Sequence, residues 1–348
     1  MSIDESIKSN ESTLRLPPRQ KLGYTLGAQT GWITHYGGLQ ALASYAGMFS
    51  FWPVPFDATW QHGVEDQCYY ERYPSDLIYS IEHPYDRQIF VSNAAQQKVL
   101  RDLGYLNVIV IGAPFIYAEP AEKPCRIPKS ILIMPPHTLD GAPFSGDDIL
   151  KEYVDFINVR YVDSGLDLWA SVHASCVRNG LWVPYFNKYG IKVVGGADHG
   201  DQNSLLRMWF LFSSFETVST PSLGSHVFYA LACGCKVIFE GPPIRMSLHE
   251  ANQDESFVRL VSKNKNPLFD EDLIECRELF MAKFREARDD IELGREALGF
   301  QFKKTPEQIR ILLGWNKALQ VAMMPSYLAK KVKRAYRLVN RILSGGRN

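Results

Sequence analysis

No stretch of this chain is long and apolar enough to cross a bilayer, and residues 1–20 are polar and acidic as far as Pro17-Pro18. That pattern carries neither a membrane span nor a secretory leader. The expectation is a cytoplasmic chain that opens on a flexible arm over residues 1–20. Cysteine is sparse and unpatterned: Cys68, Cys125, Cys176, Cys233, Cys235 and Cys276 show neither the paired CxxC spacing of a metal site nor the framework of a small secreted domain. They are expected as reduced thiols. A GxGxxG fingerprint is missing, which argues against an NAD enzyme, and without a GxSxG elbow or an HExxH pair a serine hydrolase or zincin has no support. Internal repeats and low-complexity tracts are absent as well.

What is present is ordinary globular material, with 46% hydrophobic and 22% charged residues over 348 positions, enough for two cores. Strand and helix signals alternate. Strands are predicted at 22–28, 58–62, 88–92 and 107–111 with helices at 37–48 and 94–103; then strands at 130–134, 167–173, 191–195 and 216–220 with helices at 147–160, 176–189 and 203–212. Such alternation implies parallel sheets with crossover helices. The proline-containing stretch 118–129 reads as a linker, giving a first domain over 21–117 and a second over 130–325 whose last helices are placed to return to the first.

The most informative segment is TPSLGSHVFYALACGCKVIFEGPP, residues 220–243, which reads as strand end, glycine turn, apolar helix, Gly234 stop and second strand. Ser222, Gly224, Ser225 and His226 fall at the helix start, where unpaired amides and the positive end of the helix dipole can hold a phosphate. Capping alone would also account for Gly and Ser at such a turn. In open parallel sheets ligands bind beyond the carboxyl ends of the strands. The polar residues at those ends in the second domain are His137, His173, Asp198, His199 and the 222–226 turn, followed by Arg245 and Glu250. Each alone is also a capping or loop residue; together they mark a cleft. In the first domain the comparable candidates are His62, then Asp66, then His35 beside the Gly37-Gly38 loop, where the backbone can be approached closely. The aromatic-rich stretch 49–60 offers either a sugar-stacking wall or core packing.

The 220–243 run resembles the donor-binding half of GT-B glycosyltransferases. IFVSNAAQQKVLRDLGYLNVIVIGAPFIY, residues 89–117, is similar to the close of that superfamily's N-terminal Rossmann-like domain, and THYGGLQALASYA to its first glycine loop and helix. The resemblance covers most of residues 20–325 and implies an α/β fold of two Rossmann-like domains facing a central cleft, with a nucleotide-sugar as co-substrate. Arg245 and Glu250 then suit a diphosphate and ribose hydroxyls, and His62, Asp66 or His35 suits the base that takes the acceptor's proton. No strand-terminal DxD is present to hold Mg²⁺; Asp270-Glu271-Asp272 opens a predicted helix as capping charge, so neither metal nor other cofactor is expected. Retaining GT-B families commonly carry two glutamates eight positions apart, but Glu240 is followed by Leu248 at that spacing, which favours inversion.

Acid is absent from Ser326 onward. The tail 326–348 carries Lys330, Lys331, Lys333, Arg334, Arg337, Arg341 and Arg347, so the rest of a chain with 38 bases and 38 acids holds a surplus of seven acids. Leu328, Val332, Ala335, Tyr336, Val339, Ile342 and Leu343 share one helical face, the pattern of a helix at an anionic membrane surface or of one docked on its own protein. Nucleic acid is not expected as a partner. The sequence therefore reads as a peripheral, inner-face glycosyltransferase of surface polysaccharide assembly acting on a glycan or lipid-linked acceptor. A sugar-nucleotide epimerase of the same fold and a catalytically silent glycan-binding scaffold are the alternatives.

Overall fold

The computed structural model describes residues 3–21, 35–49, 52–56, 58–61, 63–73, 77, 88–137, 147–242 and 271–343. The expected strand at 22–28, together with His62, Arg245 and Glu250, lies outside these residues. Two parallel sheets organise the chain. The first has the order β1 (Thr59–Trp60), β2 (Ile89–Val91), β3 (Val108–Val110), and helix Ala94–Asp102 makes the crossover from β2 to β3. The second contains β4 (Ile127–Ile133), β5 (Asp167–Val172), β6 (Lys192–Gly195), β7 (Phe215–Thr220) and β8 (Lys236–Phe239) in the order β6-β5-β4-β7-β8, every neighbour parallel. In the second sheet every strand is buried over its last three residues, as expected of a parallel sheet covered on both faces. This is the expected α/β class, and the strand order reverses between β4 and β7.

The units share a core. Phe115, in the helical turn Pro114–Ala118 that leaves the first sheet, lies between the rings of Trp209 (4.7 Å) and Tyr229 (4.0 Å), stacked on both. The Trp209 indole N–H donates to the Phe115 carbonyl at 2.8 Å. Late segments also return to the first unit. Ala113 donates to the Leu298 carbonyl at 2.8 Å, Trp315 Nε1 to Pro55 O at 2.6 Å, and the buried Gln320 amide serves Phe49 and Trp52. Gly299 is required there: its φ is +70°, and an added Cβ would lie 1.8 Å from the Ser92 carbonyl oxygen.

Four expectations are corrected. The opening segment is not a free arm: helix Ile3–Thr13 and the strand-like stretch to Lys21 dock on the second unit. Arg207, only 2% exposed, needs those partners; its Nη2 meets Glu11 Oε1 at 2.7 Å and its Nη1 donates to the Pro17 carbonyl. Asn203 Nδ2 donates to Pro18 O, and the Gln20 amide to Asp201 Oδ1, both at 2.8 Å. The linker is shorter than expected, since Ile127–Ile133 is already strand and Ala118 is buried. The single helix expected over 176–189 is broken into Ala174–Arg178 and Val183–Lys188 by Trp182, which takes φ +66° to bury its ring and donate Nε1–H to the Pro136 carbonyl at 3.1 Å. Cys68 and Cys276 are bonded to each other rather than reduced, while Cys125, Cys176, Cys233 and Cys235 take part in no disulfide.

Arg207 also has Asp201 Oδ2 at 3.8 Å from its Nε, but Glu11 is its nearer carboxylate, and losing it from a buried guanidinium is costly. Glu11→Ala is expected to lower stability by about 3 kcal/mol, read as a fall in the urea midpoint at unchanged slope. An unchanged midpoint would mean that helix Ile3–Thr13 does not anchor Arg207.

Candidate functional site

Residues from five elements converge beyond the carboxyl ends of β4, β5, β6 and β7. His137 follows β4, His173 ends β5 and caps helix Ala174–Arg178, and His199 follows β6. The 220–226 turn joins β7 to helix Ser225–Ala232, and Tyr36 arrives from the first unit. His137 and His173 stack at 4.4 Å between ring centroids, and Tyr36 Oη lies 3.4 Å from His173 Nε2. His35 faces His199 at 5.9 Å between centroids, and the Tyr36 amide donates to the His199 carbonyl at 3.1 Å. The Trp182 indole, by holding the Pro136 carbonyl, fixes the backbone that presents His137.

Hydrogen bonding settles the tautomers. The Ser175 backbone N–H donates to His173 Nδ1 at 3.2 Å, so the ring hydrogen sits on Nε2 and points toward Tyr36. Thr220 gives its hydroxyl hydrogen to the Ser222 carbonyl at 3.2 Å and accepts from His226 Nε2–H at 3.0 Å. That leaves His226 Nδ1 as an acceptor beside Gly224. Burial, reinforced by the His137 imidazole, pushes His173 down to about 3 and His226 down to about 4. Burial and His199 lower His35 as well. The three rings are therefore neutral at pH 7. Positive charge at the rim comes from Arg19 and Arg178, which meet Asp198 Oδ2 at 3.6 and 3.4 Å.

The sequence-predicted residues divide. His137, His173, Ser222, Gly224, Ser225, His226 and His35 fall in or beside this cluster. Ser225 is partly committed: its hydroxyl accepts from the Val64 N–H and donates to the Val64 carbonyl, both at 2.9 Å, which joins the units. Gly37 has φ +73°, and an added Cβ would sit 2.0 Å from the Gln202 carbonyl oxygen. That close approach is to backbone of the second unit; Gly38 is buried at the start of helix Gly38–Tyr45. Asp66 lies apart from the histidines. One oxygen caps helix Gln67–Arg72 at the Tyr69 amide (3.0 Å), and the other meets Arg277 Nε at 2.8 Å. Tyr36, Thr220 and Arg19 were not singled out from sequence. Tyr36 precedes the glycine pair and Arg19 follows Pro17-Pro18, but neither spacing carries chemistry by itself.

No protein-family model and no curated protein sequence matches the chain. Among solved structures, the Methanocaldococcus jannaschii UDP-GlcNAc 2-epimerase in complex with UDP-GlcNAc and UDP is 15% identical over 90% of this chain and 82% of that one, with a TM-score of 0.36. Another structure of UDP-GlcNAc 2-epimerase from that organism is 15% identical over 65% of this chain, which spans 61% of that relative, with a TM-score of 0.33. An S. aureus TarM mutant in complex with fondaparinux, alpha-GlcNAc-glycerol and UDP is 14% identical, covers 69% of this chain and 43% of that one, and has a TM-score of 0.27. The α/β assignment rests on the strand order and the parallel registers of the two sheets.

Because the folded state holds His226 and His173 well below the usual value of 6.5, the unfolded chain binds protons between about pH 6.5 and 4 that the folded chain refuses. The stability these rings contribute is complete above pH 6.5 and is lost as pH falls toward their folded values. His226→Gln is expected to flatten the decline of the urea midpoint between about pH 7 and 4.5. Parallel declines in wild type and variant would show that the ring titrates normally.

Proposed function

We propose that this chain is a GT-B glycosyltransferase that moves a sugar from a nucleotide-sugar to a glycan or lipid-linked acceptor in surface polysaccharide assembly. One observation carries the reading. His137, His173 and the 220–226 turn meet where the strand order reverses, the place where open α/β sheets take nucleotides, and Tyr36 of the other unit reaches into that cluster. A donor diphosphate would lie at the start of helix Ser225–Ala232, with first-turn amides and His173 Nε2–H as donors and Arg19 and Arg178 supplying the field. His226 Nδ1 is an acceptor suited to a ligand hydroxyl. Arg245 and Glu250, outside the described residues, complete the proposed contacts to phosphate and ribose.

The chemistry follows as a single displacement. A base takes the acceptor hydroxyl's proton, that oxygen attacks the anomeric carbon from the face opposite the nucleotide, and the bond to the diphosphate breaks with its charge received at the helix start. His62 remains the first candidate for the base, and His35, neutral at pH 7, the second. Asp66 ranks last because both its oxygens are engaged. The reaction is proposed to need no metal, since the sequence lacks a strand-terminal DxD, and activity should survive EDTA.

Gly224 has φ 178°, extended backbone that any residue adopts, and its added Cβ would stand 3.2 Å from His226 Nδ1. Gly224→Val should fold yet crowd the phosphate position. Affinity for the best of a panel of UDP-, GDP-, CMP- and dTDP-sugars should fall at least tenfold, about 1.4 kcal/mol, by calorimetry. Equal affinity in a folded variant removes the donor assignment. Conversion of the sugar's configuration without any acceptor would identify an epimerase instead, and binding of glycan but of no nucleotide-sugar, a scaffold.

The basic tail completes the reading. Helix Lys317–Leu343 runs through Pro325, and its Leu328, Val332 and Tyr336, spaced four apart, are 52%, 68% and 66% exposed. Among the described residues no helix is long and apolar enough to cross a membrane. An apolar stripe left in water, in a tail whose sequence from residue 326 carries seven bases and no acid, suits an anionic bilayer surface, which would bring the enzyme to a lipid-linked acceptor on the inner face of the membrane. Truncation after Pro325 should preserve donor binding but abolish co-sedimentation with vesicles containing anionic lipid, and salt should weaken the full-length chain's association. Equal sedimentation of the two chains would remove the membrane role.

A further inference from the structure

Helix Gln67–Arg72 of the first unit and helix Glu271–Met281 of the second lie antiparallel against each other. Arg277 meets Glu65 at 2.6 Å and Asp66 at 2.8 Å, Cys68 is bonded to Cys276, and Arg72 meets Asp272 at 2.8 Å. From Cys68 to Arg72 is one helical turn forward, and from Cys276 to Asp272 one turn back, so the ion pairs and the sulfur pair lie along one seam. Tyr69 lies under the Arg277 guanidinium at 5.1 Å, and Leu273 is buried within the same helix. The cysteines stand 208 positions apart in sequence with Cα atoms 6.7 Å apart, and both are half-buried, within reach of small reagents. The seam continues directly into the candidate site. Gly63 and Val64 rest on Ser225, where an added Cβ at Gly63 would stand 2.5 Å from the serine oxygen. Residues 63–72 are thus held at one end by the start of helix Ser225–Ala232 and at the other by Cys276 and Arg277.

We propose that Cys68 and Cys276 form a reversible redox latch. As a disulfide the pair clamps residues 63–72 onto the second unit beside the Ser225 turn; as two thiols it leaves that segment to the ion pairs, Ser225 and the burial of Val64 and Tyr70, and the turn opens to solvent more often. The oxidant is a low-molecular-weight disulfide. One cysteine thiolate attacks it and releases one thiol, and the other cysteine then displaces the second, so two protein thiols become one disulfide while the reagent is reduced to two thiols that carry the protons. The same two sulfurs and an Asp66 oxygen lie within 4.8 Å of one another, the spacing of metal ligands. Asp66, however, is already occupied by the Tyr69 amide and by Arg277, whose positive charge opposes a cation there. The latch does not depend on the glycosyltransferase reading, since its readout is structural.

The test uses the full chain equilibrated with glutathione disulfide or with dithiothreitol. Non-reducing peptide mapping should recover a Cys68–Cys276 linked peptide only after oxidation, and hydrogen exchange over residues 63–73 should slow at least tenfold in that state. Dithiothreitol should reverse both, and Cys276→Ser should remove the response to either reagent. Two alkylatable thiols at these positions after oxidation, or identical exchange in the two states, would overturn the proposal; so would one zinc per chain retained by wild type and lost in Cys276→Ser. If the serine variant does not fold, the comparison of oxidised and reduced wild type decides alone.

Discussion

The placement of Phe115 between Trp209 and Tyr229 is the contact on which the remaining geometry depends. Phe115 belongs to the exit from the first sheet, Trp209 to the helix preceding β7, and Tyr229 to the helix whose start forms the candidate anion site. Beyond the area they bury, aromatic pairs of this kind contribute about 0.5–1.5 kcal/mol each. Their larger effect is positional. With the three rings stacked, helix Ser225–Ala232 is fixed against the first unit, Ser225 reaches Val64, and Tyr36 reaches His173. A cleft between two units is usually described as a hinge; here the hinge region itself is core.

The polar cluster is a consequence of that closeness. Where the two units meet, His173 and His226 are half-buried, and the partial loss of solvent holds both rings neutral at pH 7. Each neutral imidazole then presents one donor and one acceptor in an order fixed by its neighbours. His173 is held by Ser175, and His226 by Thr220. Directional hydrogen bonding takes the place of net charge, with Arg19 and Arg178 kept at the edge on Asp198.

Much of this was legible in the sequence where the controlling forces are local. Alternating strand and helix signals located both sheets, because the side-chain periods differ and strands such as Ile89–Val91 and Val108–Val110 are apolar runs. Strand-end reasoning picked out His137, His173 and the 220–226 turn, since topology alone directs those positions to one edge. What escaped depends on distant partners. Nothing in residues 3–21 announces that Arg207 awaits Glu11, and a capping aspartate such as Asp66 looks the same on the page as a base facing a cleft. Cys68 and Cys276 carry no spacing signal across 208 positions. Tyr36 owes its role to a left-handed backbone at φ +56°, a conformation that its side chain does not advertise.

The return of the last segments to the first unit has a consequence for how the molecule is made. Gln320 completes the polar environment of Phe49, 271 positions earlier, and Gly299 lies so close to the Ser92 carbonyl that a Cβ would stand 1.8 Å from its oxygen. During synthesis the first sheet therefore emerges, waits through the translation of the second sheet, and acquires these neighbours only once residues 298–320 have been made. Until then its apolar surface beneath Trp315 and Leu298 is open to solvent and to other chains.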